Sequence, residues 1–132
     1  MERVKSLPEI IGVMASKKPE DIDLVSRAYA FAEKAHHGQK RYSGDPYFLH
    51  VSAVGYTLAE MGMDATTISA GLLHDTIEDA NVSTEDIKAA FNEQVSFLVD
   101  GVTKLGKLKY RGIERQVESL RKLFVSTAKD LS

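Results

Sequence analysis

An adjacent His-Asp pair, His74-Asp75, is followed one helical turn later by an adjacent acidic pair, Glu78-Asp79, within Ala70-Gly71-Leu72-Leu73-His74-Asp75-Thr76-Ile77-Glu78-Asp79. On an α-helix, at about 100° per residue, His74 falls nearly above Glu78, and Asp75 above Asp79. The four polar groups then share about 140° of one face, while Leu72, Leu73, Thr76 and Ile77 cover the other sides. A helix that is apolar almost all round is a buried one. Three carboxylates and an imidazole there repel one another and lose hydration unless a cation offsets both effects. A metal ion is the simplest such cation. Such an ion acts as a Lewis acid and acidifies a bound water.

A second imidazole, His50, lies in the apolar run Tyr47-Phe48-Leu49-His50-Val51. A lone histidine on an apolar face is more often a hydrogen-bonded core residue than a ligand. Two of them, one inside an acidic notch, point toward a shared metal. The chain has no cysteine, which excludes disulfides and thiolate sites. A metal held by His and carboxylate is Mn, Fe, Mg or Zn rather than a soft-ligand ion. Glu78-Asp79 has a plainer alternative, an exposed acidic patch at a helix end, but the helix dipole disfavours carboxylates there. His36 and His37, just before Gly38, read as favourable partners of a helix C-terminus. Arg41 and Ser43, in the loop before His50, either bind an anion or are simply solvated.

The elements that must position these residues read as helical throughout. Pro8 suits the first turn of a short helix through Ile10, Ile11, Val13 and Met14. Pro19-Glu20-Asp21 opens a second, with Ile22, Val25, Tyr29, Ala32 and Ala35 on one side and Gly38 as its stop. Residues 38–46 form the clearest loop. Pro46 starts a third helix through Phe48, Val51, Val54, Leu58 and Met61, ending at Gly62. Asp64 is a good N-cap for the helix carrying His74. Asn81-Val82-Ser83 is a turn, Ser83-Thr84-Glu85-Asp86 resembles a capping box, and another helix runs through Val95, Leu98, Val99 and Val102. Gly106 to Gly112 reads as a basic, glycine-bounded linker before a final helix from about Ile113 through Val125. The pattern predicts an all-α fold, a compact multi-helix bundle.

At 132 residues the chain fits one domain with a single core. With 43% hydrophobic and 27% charged residues it is globular in composition, and its net charge of −2 argues against a general nucleic-acid surface. No apolar run approaches the roughly eighteen residues of a membrane span, and the polar start Met1-Glu2-Arg3-Val4-Lys5 is unlike a secretory signal. A cytoplasmic location is expected.

With these residues in place, the chain resembles the HD-type hydrolase domain of the RelA/SpoT homologues, the bacterial (p)ppGpp synthetase/hydrolases. The likeness covers nearly the whole length. It is carried by Ala30-Phe31-Ala32-Glu33-Lys34-Ala35-His36, then Gly38-Gln39 with Arg41, Ser43-Gly44 and Pro46-Tyr47 leading to His50. The 70–79 stretch, Leu98-Val99-Asp100-Gly101-Val102-Thr103-Lys104-Leu105, Arg121-Lys122-Leu123 and Ala128-Lys129-Asp130 follow in the family's order. The resemblance implies an HD-domain bundle that removes the 3′-pyrophosphate of ppGpp and pppGpp, with Mn²⁺ as the metal. It implies His50, His74 and Asp75 as metal ligands and Glu78 and Asp79 as the catalytic acidic pair. It also implies a guanine-nucleotide site at Arg41, Tyr42 and Ser43, where Tyr42 replaces a usual lysine. The family's last ligand, an aspartate in a Lys-Leu-Ala-Asp-Arg type motif, would fall beyond Ser132; Asp130 matches a different position. The expectation is therefore a fragment, residues 1–132 of a longer protein with synthetase and regulatory domains, that holds metal weakly and has low activity alone. Two other functions compete: an HD phosphohydrolase acting on another nucleotide, and a non-catalytic nucleotide-sensing module.

Overall fold

Each helix opens on a local sequence signal. Ser6 accepts from the Glu9 N–H while the Glu9 carboxylate accepts from the Ser6 N–H, and with Pro8 in the first turn they start α1, Leu7–Val13. Pro19 starts α2, Pro19–Ala35, with Glu20 and Asp21 in its first turn. Gly38, at φ +81°, turns the chain away. Pro46 is the N-cap of α3, Tyr47–Glu60, which stops before Gly62 at φ +82°. Asp64 accepts from the Thr67 N–H at 2.8 Å and opens α4, Ala65–Leu73. Then come α5, Thr76–Asp79; α6, Thr84–Ala90, started by reciprocal Ser83–Asp86 capping; and α7, Glu93–Lys109.

The computed structural model describes residues 3–40, 44–79 and 81–109, with 78, 79 and 103–109 described by backbone alone. Among these residues the fold is all-α, as predicted. One isolated antiparallel bridge, Lys40 with Pro46, closes the neck of the loop between α2 and α3. Arg41, Tyr42 and Ser43, most of the predicted linker and the predicted helix from Ile113 lie outside the described residues. No helix among the described residues is long and apolar enough to cross a membrane.

Helix α4 is the centre of the packing: every residue but Thr66 is buried, and α2, α3 and α7 lie against it. Its contact with α3 depends on glycine at two reciprocal places. A Cβ on Gly55 would lie 2.5 Å from Leu72 Cδ2, and one on Gly71 would collide with Leu58. Because 55 faces 72 while 58 faces 71, the two helices run in opposite directions. The start of α3 therefore meets the end of α4.

Two expectations are corrected. The helix predicted to run unbroken from Asp64 through Asp79 stops at Leu73; His74 is its C-cap, Asp75 stands in a turn, and Thr76 begins a separate helix. The start predicted for the linker, Gly106, is helical instead, because α7 continues through it to Lys109. A glycine inside a helix costs about 1 kcal/mol, which the buried stripe of Val95, Leu98, Val99 and Val102 outweighs.

Candidate metal centre

The break between α4 and α5 has a side-chain cause. The His74 Nδ1–H donates to the Gly71 carbonyl at 2.6 Å, and the Thr76 hydroxyl donates to the Leu73 carbonyl at 2.7 Å. Two carbonyls of the last α4 turn are thus satisfied without continuing the helix, and Asp75 is freed from the helical face. His50, from the first turn of α3, meets this corner, with its ring centroid 6.0 Å from that of His74.

His74 Nε2 lies 3.0 Å and His50 Nε2 3.6 Å from Asp75 Oδ2. One donor atom from each of the three residues falls within 4.8 Å of the others. Bonds from imidazole and carboxylate to a borderline divalent ion run about 2.0–2.2 Å, so neighbouring donors on one ion stand about 2.8–3.6 Å apart. The 3.0 and 3.6 Å separations of this cluster are of that size. The tautomer supports the same reading. A carbonyl can only accept, so the proton of neutral His74 is on Nδ1 and the Nε2 lone pair faces a carboxylate oxygen. Two acceptors at 3.0 Å require a cation between them or a proton on the nitrogen.

Asp75 is mostly buried, and burial pushes its carboxyl up. When His74 and His50 are protonated, their charge and the His74 N–H, together with the Tyr47 hydroxyl donating to Oδ2 at 3.0 Å, outweigh that and hold it well below the usual carboxylate range. The group is thus an anion at neutral pH in a place where an unpaired anion would be unfavourable. A His₂-carboxylate donor set with no sulfur fits a divalent ion of the Mn, Fe, Mg or Zn kind.

The structure brings His50, His74 and Asp75 together as expected. Glu78 and Asp79 belong to α5, which starts immediately after Asp75; the single helix predicted to carry both pairs is interrupted at His74 and Asp75, ahead of the acidic pair. His36 and His37 were expected to serve the C-terminus of α2. His36 is indeed its C-cap, but its ring is only 2% exposed and stacks on Tyr47 at 4.9 Å. Tyr47 and His36 are the neighbours of the site that the sequence reading did not single out. The signal was available in part, since Tyr47 lies three residues before His50, on the same side of a helix.

Residues 28–132 match the model of a family described as HD domain. The chain belongs to the HD-domain family. The all-α fold of this HD domain agrees with that match. It is 47% identical over 125 residues to a guanosine-3′,5′-bis(diphosphate) 3′-pyrophosphohydrolase of Aquifex aeolicus, covering 95% of this chain and 18% of that protein. It is 54% identical over 106 residues to a GTP pyrophosphokinase of Streptomyces coelicolor, 80% of this chain and 12% of that one. It is 45% identical over 115 residues to the bifunctional (p)ppGpp synthase/hydrolase SpoT of Escherichia coli, 86% of this chain and 16% of that protein. The HD domain thus spans less than a fifth of the length of these curated relatives.

Proposed function

We propose that residues 1–132 carry the metal-dependent (p)ppGpp 3′-pyrophosphohydrolase centre of a RelA/SpoT homologue, producing GDP or GTP and pyrophosphate. The observation that carries this reading is the convergence of His50, His74 and Asp75 on one corner, where His74 Nε2 lies 3.0 Å from the Asp75 carboxylate. Those three residues would hold the cation, Mn²⁺ by resemblance, which when bound supplies Lewis acidity and acidifies water. The Gly71 carbonyl sets the neutral His74 tautomer that offers Nε2 to the ion, and the Tyr47 hydroxyl favours the Asp75 anion. Glu78 and Asp79 accept and orient the proton of the attacking water, titrating as a pair. By resemblance Arg41 and Ser43 would bind the charged nucleotide, with Tyr42 at the position of a usual lysine. The parent protein would add synthetase and regulatory regions, act in the cytoplasm and bind no nucleic acid through this domain.

Incubating the protein with Mn²⁺ and ppGpp tests this. Release of pyrophosphate that chelation abolishes, with dNTPs and cyclic dinucleotides untouched, is the expected result. Comparable turnover of a dNTP would replace the substrate by another nucleotide. One alternative is a nucleotide-sensing module; tight ppGpp binding without turnover, in this chain and in a longer form of the protein, would establish it.

A further inference from the structure

The metal centre is supported by a second set of side chains, from the chain just after α2 and from the first residue of α3. Tyr47 donates its hydroxyl to Asp75 Oδ2 at 3.0 Å, the same oxygen that faces both imidazoles. Its ring also meets His50 edge-on at 6.0 Å. On its other side the tyrosine stacks nearly parallel on His36, at 21° between planes. Gln39 ties both partners: its side-chain oxygen meets His36 Nδ1 at 3.0 Å, and its carbonyl accepts from the Tyr47 N–H at 2.8 Å.

His36 is an unfavourable residue for packing alone. Its Nε2 is buried with no hydrogen-bond partner among the described residues, and an unpaired buried polar atom is destabilising. A phenylalanine would fill the same stack without that penalty. Tyr47 has a comparable logic: phenylalanine would pack as well, and only the hydroxyl reaches the carboxylate. A carboxylate with one oxygen shared between two imidazoles rotates freely unless a third group fixes it, and partners behind metal ligands commonly perform that task.

We propose that Tyr47 is a positioning residue of the metal centre, braced by His36, and that it orients the Asp75 carboxylate for the cation. This rests on the reading of His50, His74 and Asp75 as metal ligands. It gives the helix end Ala35-His36-His37-Gly38-Gln39 a role in holding metal rather than in satisfying the α2 dipole.

Titrating metal-free protein with Mn²⁺, following the free-ion paramagnetic resonance signal, tests it on Tyr47→Phe, His36→Phe and His36→Ala. Tyr47→Phe is expected to weaken Mn²⁺ about 10–100-fold while the melting temperature of the metal-free protein stays within a few degrees. His36→Phe, which keeps the stack, is expected to retain most of the affinity that His36→Ala loses. In turnover, raising Mn²⁺ should restore the Tyr47→Phe rate, a response that general loss of structure would not give. Wild-type affinity in Tyr47→Phe, with the wild type binding normally, overturns this proposal alone. A wild type that binds no Mn²⁺ overturns the metal centre and the proposal together. If His36→Ala does not fold, the contrast between Tyr47→Phe and His36→Phe still decides.

Discussion

Glu9 and Asp75 are both held well below the ordinary carboxylate range, by different kinds of partner. Glu9 lies at the surface; Arg3 pairs with it at 2.5 and 2.7 Å and the Ser6 N–H donates to it, all from within six residues of chain. Asp75 is less exposed, and its partners are Tyr47 and His50 from α3 and the neighbouring His74. The first is a local solution to a helix start, complete with its own cation and open to water. The second gathers imidazoles, which are cations only when protonated, so its anion is balanced only by a proton on them or by a metal. A depressed carboxylate is therefore not by itself a sign of function; the nature of its partners is.

Substitution at the two positions should separate them most sharply. Asp75→Asn is expected to abolish Mn²⁺ binding and pyrophosphate release, whereas Glu9→Gln leaves both within about twofold and changes only the melting curve; a Glu9→Gln enzyme without activity would erase the distinction. Next in size, Glu78→Gln or Asp79→Asn should slow turnover by about 10²–10⁴-fold with Mn²⁺ affinity retained, measured by steady-state rates beside metal titration. That places the acidic pair with the proton rather than with the cation.

Acid should distinguish the two sites by degree. Both carboxyls have folded values below their unfolded ones, so each contributes stability that is present above about pH 4 and disappears as pH falls toward the folded value. Asp75→Asn in the metal-free protein should flatten the acid limb of a circular-dichroism unfolding series. Glu9→Gln should flatten it less in added salt, because an exposed pair is screened. The smallest expected effects are in packing and capping. Gly55→Ala gains helix propensity but forces Leu72 aside, for a net loss of about 1 kcal/mol. Ser6→Ala loses about 1 kcal/mol in urea unfolding, with Mn²⁺ binding unaltered.

Much of this could be read from the chain alone. Asp64, Ser83, Pro19 and the glycines at 38 and 62 set helix limits by local chemistry, and the structure has them in those roles. His50, His74 and Asp75 were legible because an apolar sequence carried polar groups with no local reason to be there. The break after Leu73 was not legible. It depends on His74 and Thr76 taking α4 carbonyls with their side chains, a competition that helical periodicity does not express. Nor was Tyr47, since its value depends on where Asp75 lies 28 residues later. Gly106 misled for a simpler reason: glycine weakens a helix without always ending it.

The bridge between Lys40 and Pro46, with the Tyr47 N–H on the Gln39 carbonyl, ties off the 41–45 loop at its base. Its neck is anchored on the same residues that pack against the corner of His50, His74 and Asp75. A substitution at Gln39 would therefore loosen the closure of the loop and the seat of the tyrosine together.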